Sequence, residues 1–177
     1  MNTGATMVLR PNAGEYAEYY EKYLKLVPEG NIIEILENQQ KSMMGFFTTI
    51  DEEKSNCRYA ENKWSIKEVV GHLDDSERIF AYRALRISRN DINPLPGFNE
   101  NEFIAQSNYK NISFEKIVDE FLLLRASNIL MFRGFNDEMW LRKGTASNNP
   151  VTVRAIAFIM AGHTEHHINV LKERYHC

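Results

Sequence analysis

The chain has 177 residues, a net charge of -3 and a pI near 6.0, so it lacks the basic surplus of a general nucleic-acid binder. Hydrophobic residues make up 44% and charged residues 25%, the mixture of a globular domain long enough to bury a core without staples. No apolar run approaches the roughly 20 residues of a membrane span, and residues 1–14 lack the apolar core of a signal peptide.

Two cysteines, Cys57 and Cys177, form neither a disulfide framework nor a CxxC metal site. The expectation is a cytoplasmic protein with reduced, unpaired thiols, built as a single domain over residues 1–177. Residues 1–30 read as an N-terminal arm, in which "GEYAEYYEKYLKLVPEG" predicts a short helix stopped by Pro28 and Gly30. Its Tyr16, Tyr19, Tyr20 and Tyr23 either pack the arm against the rest or supply the contact of a homodimer, since aromatics are enriched in interface cores.

Four long helices follow. The first begins near Asn31, with Ile32, Leu36, Met43, Phe47 and Ile50 recurring at three and four residues. The second opens at "WSIKEVVGHL", where Ser65 and Glu68 form a capping box, and runs to about Asn90. There "NDINPLPGFNEN" breaks it with two prolines and a glycine; this loop is either a plain crossover or the cover of a site mouth. The third starts at Ser113 as N-cap and carries Phe114, Ile117, Val118, Phe121, Leu124 and Phe132. The loop "GTASNNP" precedes the last, from about Thr152 to Tyr175. No stretch shows sustained strand alternation. The expected fold is therefore all-α, an up-and-down-type four-helix bundle with a short N-terminal helical arm, in which sites form between facing helices.

The stretch "AGHTEHHINV" holds three of the five histidines of the chain. At 100° per residue, Val153, Ile156, Met160, Ile168, Leu171 and Tyr175 share one arc of the last helix. His163 and His167 fall within or beside that arc, one turn apart; His166 lies off it, on the rim or in solvent. Imidazoles at i and i+4 can reach one divalent ion, although HxxxH alone is a weak signal. Glu165 points away from the pair and cannot act as the general base of an HExxH protease. On the second long helix His72 flanks the stripe of Val69, Leu73, Phe80 and Ile87. Three inward imidazoles without partners would be costly to bury, and a shared metal would satisfy all three, with a position left open for chemistry.

"KWSIKEVVGHLDDSERIFAYRALRISRND", "PLPGFNEN" and "VRAIAFIMAGHTEHHINVLKERY" together resemble the DinB superfamily, and within it the YfiT-like branch of metal-dependent hydrolases, which includes bacillithiol S-transferases. The resemblance implies a four-helix bundle holding one divalent ion on three histidines that match His72, His163 and His167. Zinc is the first expectation and nickel the second, with water completing the shell. It also implies an enzyme acting on a small molecule: a transferase adding a low-molecular-weight thiol, such as bacillithiol, to an electrophile, or a hydrolase activating water. A third reading is a non-catalytic helical module tied together by its metal.

For thiol transfer, Arg83 is the candidate to bind a carboxylate of the cofactor, against the plain alternative of a salt bridge. For hydrolysis the candidate base is Asp75, favoured over Glu77, which lies further round the helix; the plain alternative for both carboxylates is pairing with Arg78, Arg83 or solvent. Trp64 and Trp140 are core residues or edges of a substrate pocket.

Overall fold

The four amphipathic segments are four long helices in the computed structural model, which describes residues 7–176. After a 3-10 turn at Glu18–Tyr20 come α1 (Glu21–Leu24), α2 (Ile32–Phe47), α3 (Glu52–Ser55), α4 (Ile66–Ser88) and α5 (Glu100–Gln106). A second 3-10 turn, Tyr109–Asn111, leads to α6 (Phe114–Arg133), α7 (Asp137–Leu141), the strands β1 (Lys143–Ala146) and β2 (Asn149–Thr152), and α8 (Val153–Arg174).

Local chemistry sets most of these boundaries. The Asn31 side chain accepts from the Ile33 amide, and the Thr152 hydroxyl from the Ala155 amide, so α2 and α8 begin on side-chain caps. The capping box of Ser65 and Glu68 is complete. Ser113 makes no side-chain cap; instead Glu52 of α3 accepts from the Phe114 amide at 2.7 Å. A carboxylate from elsewhere in the chain has taken the cap's place.

α2 packs chiefly against α6 and α8, and α4 against the same two helices. The ring order is therefore α2–α6–α4–α8, with α2 and α4 across one diagonal, rather than the consecutive order that simple up-and-down connections produce. The linkers over residues 48–65 and 134–152, with their short elements, are long enough to cross the bundle.

Two apolar clusters fill the interior. One includes Leu36, Phe80, Ile129 and Ala161, the other Met43, Leu73, Phe121 and Ile168. On each long helix a polar residue sits between its members of the two clusters: Gln39, Glu77, Arg125 and Thr164. Arg125 donates to Glu77 Oε1 from Nε at 3.1 Å and Nη2 at 2.6 Å, to Thr164 Oγ1 at 3.0 Å and to Gln39 Oε1 at 2.7 Å. Asn128 adds a bond to Glu77 Oε2 at 2.8 Å. One guanidinium thus joins all four helices. A fully satisfied buried network of this kind fixes axial register as well as adding energy.

The absence of strands expected from the sequence is corrected by the β1–β2 hairpin. Ser147 and Asn148 both have positive φ, 51° and 63°, which lets a two-residue turn match the strand twist. The usual Asn-Gly signal is missing, so the turn is hidden in the sequence. Leu95 pairs with it, donating its amide to Thr145 O at 2.8 Å and accepting from the Ser147 amide at 3.0 Å. At the other end the arm is tied down by Glu15, whose carboxylate accepts from Thr152 Oγ1 at 2.9 Å and from Arg154. The Arg154 hydrogen bonds hold that carboxyl down at about 2.

Candidate metal centre

α4 and α8 are direct neighbours, and each carries a Gly-His pair where another part of the chain comes close. A Cβ on Gly71 would collide with the ring of Tyr109, and one on Gly162 with the backbone carbonyl of Tyr23. Glycine in mid-helix costs about 0.5–1 kcal/mol relative to alanine; here the missing side chains let Tyr109 pack on α4 beside His72 in sequence and let Tyr23 reach the His163 ring.

His72 Nε2 lies 3.1 Å from His163 Nε2, and His167 Nε2 lies 3.2 Å from the same atom. All three ligand atoms fall within 4.8 Å of one another. Protons alone cannot satisfy this cluster: an imidazole Nε2 offers one N–H or one lone pair, never two of either, yet that of His163 faces two nitrogens. A cation can. Two nitrogens about 2.0–2.1 Å from a tetrahedral zinc stand roughly 3.3 Å apart, close to the spacings found.

The rings are also in the right charge state. Burial pushes His72 down to about 4. Burial, with the neighbouring imidazoles second, holds His163 well below the ordinary histidine range, and burial does the same for His167. Neutral imidazole is the ligand form.

The centre floors a cleft of about 210 Å³. The Trp64 ring lies 5.0 Å from that of His72, the Phe80 ring 5.6 Å and the Tyr23 ring 5.4 Å from that of His163. Arg83 enters the same cleft, buried, with Nη2 donating to Pro96 O at 2.8 Å and Ser147 Oγ at 2.9 Å. The hairpin tip and the "NPLPGF" loop thus aim this guanidinium. Phe98 and Glu100 line the cleft too, so the loop after α4 covers the site mouth and is more than a crossover.

Other expectations need correction. Asp75 faces away from the histidine cleft: it accepts from Tyr109 Oη at 3.0 Å and lines a separate depression. Burial raises its pKa, opposed by that hydrogen bond. Glu77 pairs with Arg125 in the buried layer rather than with Arg78, Arg83 or solvent. Of the two cysteines, Cys57 lies between α3 and α4 and is not without a partner, while Cys177 lies outside the described residues. Tyr19, Tyr20 and Tyr23 line the histidine cleft, a role that sequence periodicity could not reveal because the arm docks by long-range contact. Trp64 edges the cleft, whereas Trp140 is a core residue stacked on Phe132. His166 is half-buried on the rim, its ring 5.4 Å from Tyr23.

The pattern of the DinB superfamily matches residues 35–171, a span that holds all three histidines. Among solved structures, YfiT from Bacillus subtilis, described as a probable metal-dependent hydrolase with an unusual four-helix bundle topology, aligns with a TM-score of 0.66 over 93% of this chain and 90% of its own, at 15% identity. That likeness is one of fold. No curated protein matches the sequence, and no helix is long and apolar enough to cross a membrane among the described residues.

Proposed function

We propose that this chain, which belongs to the DinB superfamily, is a divalent-metal enzyme that transfers a low-molecular-weight thiol to an electrophilic carbon. The observation that supports it most is the convergence of three Nε2 atoms on the floor of a cleft that also holds a buried arginine. A divalent ion held by His72, His163 and His167, with zinc the first choice and nickel the second, would supply Lewis-acid activation of a nucleophile at neutral pH.

The rest falls to the chain itself. Arg83 binds a carboxylate of the thiol cofactor, in the manner bacillithiol would permit, through guanidinium donors other than Nη2, whose engagement by Pro96 and Ser147 fixes the group in place. Trp64, Phe80 and Phe98 wall the reacting sulfur from bulk water. No cysteine lines this cleft among the described residues, so the nucleophile is the cofactor's own sulfur. The sulfur–carbon bond forms, the leaving group departs with its electron pair, and the thiol proton passes to solvent by way of Glu100 at the mouth.

Hydrolysis is the second reading. It is favoured by Glu100, a carboxylate in the histidine cleft able to take a proton from water, and by the description carried by YfiT. Asp75 has no part in it. The two readings separate in one assay series. Thiol consumption with a chromogenic aryl halide is expected for wild type, absent for His72→Ala, and shifted to a KM about tenfold higher for Arg83→Gln at unchanged metal content. Equal rates in wild type and His72→Ala would dismiss thiol transfer; metal-dependent cleavage of esters or amides without thiol would favour hydrolysis.

A further inference from the structure

The cleft that holds Arg83 ends at Trp64, His166 and His167, and the same three side chains wall a second cleft of about 320 Å³. The reaction outlined above makes no use of it. Its floor is built: Val69 and Tyr175 are buried, Tyr175 Oη donates to the Trp64 carbonyl at 2.7 Å, and the Tyr175 ring meets Tyr59 edge to face at 5.0 Å. Its rim carries two exposed cations, Lys63 and Arg174, and no side-chain carboxylate among the described residues lines it. Glu68, at the start of α4, is already engaged by Arg58 and by the Ser65 cap. The Arg174 guanidinium sits 5.6 Å from the Tyr59 ring centroid, an arrangement that orders the side chain and leaves its N–H edge for an anion.

We propose that this second cleft binds a small organic anion, a carboxylate or phosphate ester, as the co-substrate that meets the thiol. Its charge pairs with Lys63 and Arg174, and its flat apolar part lies against Trp64 and Tyr59. Of the three clustered histidines, His167 lines both clefts, so each cleft brings its occupant to the histidines from its own side. Two clefts suit a transfer between two organic molecules, whereas hydrolysis requires only one. The co-substrate role rests on the thiol-transfer reading; the binding does not.

The test titrates the ¹⁵N-labelled full chain, stripped of metal so that no anion reports merely by binding the cation, with phenyl phosphate, benzoate and neutral benzamide. Saturable amide shifts are expected over residues 59–64 and 170–174 with the two anions, weakening as salt is added. Benzamide, and either anion with the Lys63→Ala/Arg174→Ala variant, is expected to bind about tenfold more weakly. If stripping unfolds the chain, the same comparison is made on zinc-loaded protein, reading the difference between wild type and variant. Shifts confined to the surroundings of Arg83, equal binding of benzamide and benzoate, no saturable binding, or a double variant that binds like wild type would overturn the proposal. Zinc affinity measured on the same samples separates the two claims: anion binding in this cleft without zinc binding leaves the cleft standing and removes the metal enzyme, and the reverse result does the opposite.

Discussion

Gly162 and Tyr23 meet backbone to side-chain position: any Cβ on the glycine would collide with the tyrosine carbonyl. The short α1 is thereby seated on α8 one residue before His163, with the Tyr23 ring against the imidazole. Gly162→Ala is expected to cost roughly 1–3 kcal/mol by overpacking and to weaken metal binding as Tyr23 is pushed off. Gly45 in α2, with nothing within 4 Å of an added Cβ, is the control, and its change to alanine is expected to stabilise by up to about 1 kcal/mol. Thermal melts of the pair decide; a harmless Gly162→Ala would mean that α1 is not seated as described.

The Arg125–Glu77 pair is 0% and 2% exposed at its side chains. Removing one partner leaves a charge without compensation, so Arg125→Met or Glu77→Leu alone is expected to cost about 3–5 kcal/mol. Replacing both, as Arg125→Met/Glu77→Leu, is expected to recover most of that loss. Urea unfolding of the four proteins gives the coupling directly; additive losses would show that the two side chains do not interact.

Asp74 is fully buried, and neither carboxyl oxygen has a hydrogen-bond partner among the described residues. Burial lifts its pKa from 3.8 to about 9. Between those values the folded chain keeps a proton that the unfolded chain has lost, so this group subtracts stability as pH rises, by at most about 1.4 kcal/mol per unit. Asp74→Asn removes the slope: it is expected to stabilise at pH 8 and to do so less at pH 5. Denaturation of the metal-loaded protein at both values checks this. A variant less stable at both would show that the carboxyl has a partner.

The long helices were legible because each repeats its apolar residues at helical spacing and most start on a cap that neighbouring residues supply. The inward faces of the histidines were legible for the same reason, since the face of a helix follows from sequence position alone; that His72 meets the other two was implied by the family resemblance. Asp75 shows the limit of that logic. Three steps of 100° carry it past the edge of the arc that His72 occupies, and Tyr109, a residue from beyond the next loop, captures it. Glu77 was assigned local partners, but Arg125 reaches it from a different helix. The tyrosines of the arm and the second cleft depend on where distant segments dock. Periodicity carries no such information.

The central claim is that three imidazoles from α4 and α8 bind one cation. Its most direct test is a calorimetric titration of zinc into metal-stripped wild type and His72→Ala at neutral pH, where the ligands are unprotonated. One ion per chain is expected for wild type, with a loss in His72→Ala greater than the ~10–100-fold that removal of an outer-shell partner brings. An absence of saturable zinc binding, or a variant that binds as tightly as wild type, would contradict the account.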